Sequence, residues 1–261
     1  MKKPHLSVTQ LDMFTTCGIR YYFRYIEGLK MPPKSAMKFG KNIHEAELDL
    51  NLKQKITTHE DLKLADVTDA FATAWNKDVQ EVQWNEEERS QGIEIISGKL
   101  KDEGIRVVET LHTELADRIQ PKKVEEKFLI KIPEFDYDFM GIWDLITDDK
   151  KIIDLKVSSK SPASGIADKS LQLTVYSLAY RNLNRGGIET GLELNYAVRL
   201  KQPKIIIQQT QRDQSHYDRF LKRLGKVAYA IKNEVFVPAD SNSWVCSPDA
   251  CGYWDICTER P

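Results

Sequence analysis

The stretch GIWDLITDDKKIIDLK, residues 141–156, constrains the fold more than any other part of the chain. Apolar residues on either side of the polar TDDKK turn predict two adjacent β-strands. Charged residues nevertheless occupy strand positions: Asp144 in the first run, Asp154 and Lys156 in the second. Side chains alternate between the faces of a strand, so Ile153, Leu155 and Val157 share one face and Asp154 and Lys156 the other. Asp144 can then face them from the neighbouring strand. Two carboxylates brought that close repel each other, and a hard cation between them, Mg²⁺ or Mn²⁺, removes the conflict. A lysine beside them can stabilise negative charge or orient and activate a water, which is the equipment for metal-assisted phosphodiester hydrolysis. A plain salt bridge across the hairpin would use the same residues. The Asp/Glu-x-Lys triplet also begins at Asp61, Glu125, Asp148 and Asp149. Spelling therefore does not single out Asp154; its setting inside the β-favouring run KIIDLKV does.

Two different periodicities bracket this hairpin. Upstream, apolar spacing predicts helices over about 8–25, 36–53, 61–80 and 87–119, the first opened by Ser7 and Gln10 at capping-box spacing and with Cys17 in its latter half. Pro121 closes that series. VEEKFLIKI then places Val124, Phe128, Ile130 and Ile132 on one face of a strand. Downstream come a helix over about 167–183, a strand alternating at Leu192, Leu194, Tyr196, Val198 and Leu200, the strand KIIIQQT, and a helix over about 214–233 leading into a Cys-rich tail. The order predicts an α/β core with a helical N-terminal insertion.

Composition acts as a filter on function. With 261 residues, 41% hydrophobic and 30% charged, the chain can bury a sizeable core and reads as soluble and globular. No uncharged apolar run approaches the roughly 18 residues of a membrane span, and MKKPHLSVTQLD lacks the apolar core of a signal peptide. A cytoplasmic protein with no membrane partner is expected. The net charge of −1 carries no global signature of nucleic-acid binding, yet residues 199–232 hold nine Lys/Arg against Asp213 and Asp218, and residues 78–94 hold six acids against Arg89. A basic segment on a neutral protein fits a phosphate-binding groove, or equally a solvated helix face. Cys17 stands near the start, while Cys246, Cys251 and Cys257 crowd the tail. A reducing compartment argues against pairing them as disulfides.

GIWD followed by IIDLK resembles the catalytic core of the PD-(D/E)xK nuclease superfamily in its RecB-like branch. There a Gly-x-x-Asp, here Gly141 to Asp144, precedes an Asp/Glu-x-Lys, here Asp154 to Lys156. GKNIH matches the branch's Gly-x-x-x-His helix motif at His44, and QLTVY its Gln-x-x-x-Tyr at Gln172 and Tyr176. Cys17 after SVTQLDMFTT, with the tail CSPDACGYWDIC, is similar to branch members, CRISPR-associated ones included, whose one N-terminal and three C-terminal cysteines hold a [4Fe–4S] cluster. The usual tail is Cys-x2-Cys-x5-Cys; here the first gap is four residues and contains Pro248.

The resemblance implies a restriction-endonuclease-like α/β core, a mixed central sheet flanked by helices, in a single nuclease domain over 1–261. Within it lie a helical subregion at about 54–120, a catalytic core at about 121–212, and a metal-cluster staple joining Cys17 to 246–257. It implies one or two Mg²⁺ or Mn²⁺ ions held by His44, Asp144, Asp154 and the Leu155 carbonyl, with Lys156 positioning the water. Gln172 and Tyr176 would line the site and contact the substrate backbone, with Leu171, Val175 and Leu178 packed on the sheet; Glu126 is a further acid candidate. Cys17, Cys246, Cys251 and Cys257 would bind [4Fe–4S], with Zn²⁺ the alternative for four thiolates. The implied substrate is DNA, single-stranded or at ends, cut as an exonuclease sooner than an endonuclease. No helicase motif is present, so unwinding would fall to a separate helicase or recombination partner. The competing expectations are a catalytically silent DNA- or partner-binding module of the same fold and a zinc-stapled interaction protein.

Overall fold

The computed structural model describes residues 4–132 and 135–259. In chain order its elements are β1 (His5–Leu6), α1 (Val8–Thr16), α2 (Gly18–Tyr21), α3 (Ser35–His44), α4 (Lys53–Thr58), α5 (Leu64–Asp78), α6 (Glu86–Ser90) and α7 (Ile93–Glu114). Then follow β2 (Pro121–Ile130), β3 (Asp138–Thr147), β4 (Lys151–Ser158), α8 (Leu171–Leu183), β5 (Gly191–Val198), β6 (Lys204–Thr210) and α9 (Gln214–Lys232). The chain separates into two compact units. The larger takes the described residues of 32–128 and 142–211; the smaller takes those of 1–31, 129–141 and 212–261.

The larger unit is built on a mixed sheet. β3 and β4 are antiparallel, β4 and β5 run parallel along their full length, β5 and β6 are antiparallel, and β2 also pairs with β3. The β3–β4 turn closes because Lys150 adopts a left-handed φ of 70° and returns its N–H to the Thr147 carbonyl at 3.0 Å. Alternation along β4 follows the expected pattern. Ile153 and Leu155 join a buried core with Ala197 of β5 and with Phe39, Phe71, Trp75, Val107 and Leu111 of the helices, while Val157 packs against its edge. On the opposite face, α8 crosses β4 and β5, starting where the Ser170 side chain caps the Leu173 N–H. Of the three residues expected to seat it, Val175 is fully buried and Leu171 and Leu178 are half-buried.

Helices on both faces of a mixed sheet are the expected architecture. One difference concerns β5. Its alternating apolar residues predict one polar face, yet Glu193 and Asn195 are buried too, because the strand runs between two neighbours and beneath helices.

In the smaller unit β1 lies parallel to the first residues of β3, pairing His5 with Asp138 and Leu6 with Phe139. The predicted helix over about 8–25 is interrupted. Cys17 is extended (φ −161°, ψ 110°), ending α1 and opening α2, and the chain then widens into a π-helical turn over Tyr22–Ile26. The break has a tertiary cause. Gly18 N–H bonds the Val237 carbonyl at 2.7 Å, and a Cβ at Gly18 would meet Val237 backbone nitrogen at 2.6 Å. Only glycine allows the two backbones so close. α9 opens with a capping box between Asp213 and His216, and buries Tyr217, Phe220, Leu224, Val227, Ala228 and Ile231 along one side.

Candidate active site

Four elements of the larger unit bring the charged residues together. β3 supplies Asp144 and β4 supplies Asp154 and Lys156. The antiparallel ladder runs through Ile146–Ile152 and Leu145–Ile153. Beyond it the Asp144 side chain substitutes for backbone pairing: its Oδ2 accepts the Leu155 N–H at 2.9 Å. Its Oδ1 accepts the Tyr176 hydroxyl from α8 at 2.9 Å. Asp144 is buried and held from both sides. Gln172 lies one turn before Tyr176, half-buried, and its amide acts to lower the pKa of the same hydroxyl. Burial, then the charges of Asp144 and Asp154, push the Tyr176 pKa well up, so its O–H remains a donor.

Asp154 is fully buried, with Oδ1 accepting the Lys156 ammonium at 2.8 Å. Its Oδ2 is buried without a hydrogen-bond partner. Burial raises the Asp154 pKa to about 7; Lys156 opposes the shift, and Asp144 adds to it. Burial alone would lower the Lys156 pKa, but Asp154 and Asp144 outweigh it and the net shift is upward. The pair is therefore one-sided. Lys156, with 44% of its side chain exposed, keeps its charge, whereas the carboxylate is left short of stabilisation for its own.

His44 arrives on the last turn of α3, where the helix passes into a π-helical stretch over Glu45–Leu52. Its Nε2 stands 3.1 Å from the Leu155 carbonyl and its Nδ1 3.2 Å from Glu125 Oε1. Burial lowers the imidazole's pKa, but the hydrogen bond to Glu125 and the Asp144 charge outweigh it, and the net shift is upward. Glu125 is the residue that sequence reasoning missed. Its φ of 47° lies in the left-handed region, inside strand β2, and such a break in strand geometry re-aims a side chain. The neighbour singled out instead, Glu126, bonds Lys123 at 2.6 Å on the surface. Strict alternation along VEEKFLIKI hides this exchange; the adjacent pair of acids was the available signal.

Ligand atoms of His44, Glu125 and Asp144 lie within 4.8 Å of one another, the one such group among the described residues. Asp154 is outside that trio. An imidazole nitrogen, carboxylate oxygens and the Leu155 carbonyl form a hard donor set suited to Mg²⁺ or Mn²⁺. The partnerless Oδ2 of Asp154 is a further donor that the protein leaves unused.

In the smaller unit Cys17, Cys246, Cys251 and Cys257 line one cavity, with Arg20 and Phe23 among the other walls. Burial raises the Cys251 pKa, while the Arg20 guanidinium acts to lower it. The Nε of Arg20 is buried without a partner.

The chain belongs to the PD-(D/E)XK nuclease superfamily, whose family profile matches residues 5–258. Among solved structures it is similar to a "putative exonuclease" from Eubacterium rectale, with a TM-score of 0.61 at 12% identity over 99% of this chain and 91% of that one; at that identity the likeness is one of fold. A second structure, of SSO0001, aligns at a TM-score of 0.46 and 13% identity over 100% of this chain and 89% of that one. No curated protein sequence matches. Among the described residues, no helix is long and apolar enough to cross a membrane.

Proposed function

We propose that the chain is a divalent-metal-dependent DNA nuclease of the RecB-like branch, acting on single strands or DNA ends as an exonuclease. The observation that carries this reading is the convergence of His44, Glu125, Asp144 and the Leu155 carbonyl beside the Asp154–Lys156 pair. A divalent cation bound there would polarise the scissile phosphate and lower the pKa of an attacking water. Lys156 keeps its charge where negative charge grows on the phosphate, and can orient the water. Tyr176 and the Leu155 N–H would hold Asp144 in a ligating orientation, with Gln172 beside the Tyr176 hydroxyl, and Glu125 would hold the His44 ring. The exonuclease assignment draws on the resemblance of the motifs and on the name of the Eubacterium rectale neighbour. A cytoplasmic location and a separate helicase or recombination partner complete the reading.

A [4Fe–4S] cluster on Cys17, Cys246, Cys251 and Cys257 is the second part of the proposal. Among the described residues no three thiol sulfurs lie within 4.8 Å of one another. Tetrahedral zinc with ~2.3 Å bonds needs thiolates about 3.8 Å apart, whereas a cubane binds each thiolate at its own corner and tolerates a wider spread. Arg20 supplies positive charge and an unused N–H to an anionic group in that cavity.

The test of the catalytic reading is cleavage of labelled DNA with Mg²⁺ or Mn²⁺. Asp154→Ala and Lys156→Ala are expected to lower cleavage by ~10²–10³-fold, as loss of a charge-stabilising group does, with circular dichroism unchanged. Parent-like cleavage by both variants would reject the site. A parent protein that binds DNA but cuts none under any divalent metal would favour the silent binding module instead.

A further inference from the structure

We infer that the smaller unit carries a second nucleic-acid surface, a groove between α1 and α9 that holds the phosphate backbone of the substrate strand. The inference rests on the nuclease reading for the identity of the polymer.

The groove encloses about 780 Å³ and is lined by Phe14 and Thr15 of α1 and by Arg219, Lys222, Arg223 and Lys226 of α9, among others. The four cations stand at helical spacings of three, four and seven residues, so they share one face of α9, away from its buried apolar side. Arg219, Lys222 and Lys226 are exposed, and among the described residues none has an ion-pair partner. Arg223 differs: it bonds Asp12 at 3.2 Å and Thr15 Oγ1 at 2.6 Å. It links the two helices and sets the width of the groove. Asp218 is the one acid in the lining, and it accepts from Gln214 at 2.8 Å.

The arrangement of these charges selects a polymer over a small anion. A single phosphate is gripped by groups that converge on one point. Here Arg219 and Lys226 are separated by seven residues, ~10 Å of helix, while one strand of a duplex repeats its phosphate about every 3.4 Å along the axis. A row of unpaired cations over that length matches successive phosphates and releases a counterion at each. Phe14 beside the row offers an apolar wall to a base. The charge surplus noted in residues 199–232 thus has a structural address: four of its α9 cations line one groove, while Lys232, at the end of the helix, pairs with Asp136.

The test uses the full-length protein, with binding of a fluorescent single-stranded oligonucleotide followed by anisotropy in EDTA, so that no cleavage occurs. For the double variant Lys222→Glu with Lys226→Glu, affinity at low salt is expected to fall by ~10-fold or more. The slope of log affinity against log salt should shrink by about 1.4, or 0.7 for each of two lost phosphate contacts on a single strand. Lys222→Gln with Lys226→Gln should give an intermediate loss with an unchanged melting curve, which separates charge from misfolding. With metal, KM should rise while kcat at saturating DNA stays near the parent value. An unchanged affinity and salt slope overturns the groove, whatever other acidic partner that face serves. Cleavage by the parent protein is scored separately: if it cuts DNA while both variants bind normally, the groove fails and the nuclease reading stands. If the parent neither binds nor cuts, both fail.

Discussion

Asp154 is a carboxylate buried with one oxygen bonded to Lys156 and the other without a partner. In the folded protein its pKa is about 7, above the ordinary 3.8. The folded state therefore binds more protons than the unfolded chain between those values, and stability falls as pH rises through that window. Without divalent metal, Asp154→Asn should flatten this dependence. At pH 8 in EDTA the variant should melt higher than the parent, by about 2–4 °C for each kcal/mol relieved; at pH 4 the two should coincide. Differential scanning calorimetry across pH checks this, and a lower melting point for the variant at pH 8 would mean that the ion pair with Lys156 outweighs burial. The placement of this residue beside Lys156 and opposite Asp144 was legible in the sequence, since alternation along KIIDLKV puts Asp154 and Lys156 on one face. Glu125 was not. It reaches His44 only because its backbone leaves strand geometry at φ 47°, and local alternation places it on the wrong side.

At the scale of elements, periodicity identified the type of every long segment but not where helices are interrupted. The expected helix over 87–119 is α6 and α7 separated at Gly92, whose φ of 86° suits glycine. The expected helix over 8–25 stops at Cys17, where close approach of Gly18 to Val237 requires it. The first cause is local, a glycine that the apolar pattern passes over; the second lies more than 200 residues away, at Val237. Gly104 of α7 shows the same logic in packing. A Cβ there would stand 1.9 Å from the ring of Phe71, itself fully buried. Alanine would gain about 1 kcal/mol of helix propensity over glycine, but overpacking a core costs about 1–3 kcal/mol, and a ring with no room to swing puts the cost at the upper end. Gly104→Ala is expected to lower the urea midpoint with an unchanged m-value. A midpoint at or above that of the parent would show that α5 and α7 part easily.

For the whole molecule, cysteines from sequence-distant segments meet in the smaller unit: Cys17 from the start and three from the tail share one cavity. A metal group bound there would close a very long loop and stabilise the folded state by constraining the unfolded one. Elemental analysis of anaerobically purified protein is expected to find iron and sulfide. Cys251→Ala should lose them and melt lower, with a smaller unit that is cut faster by protease. Zinc in place of iron, or an unchanged metal content in the variant, would overturn that assignment. The sequence by itself determined the α/β class, the strand pair carrying Asp144, Asp154 and Lys156, and the membership of His44, Gln172 and Tyr176 in one set of motifs. Those follow from residue type and local period, which are properties of neighbours along the chain. Only the tertiary structure decided that Glu125 rather than Glu126 meets His44, that Asp144 is clamped by Tyr176 and the Leu155 N–H, and that the cations of α9 line a groove with α1. Each of these depends on a distance between segments far apart in sequence, and no local preference encodes such a distance.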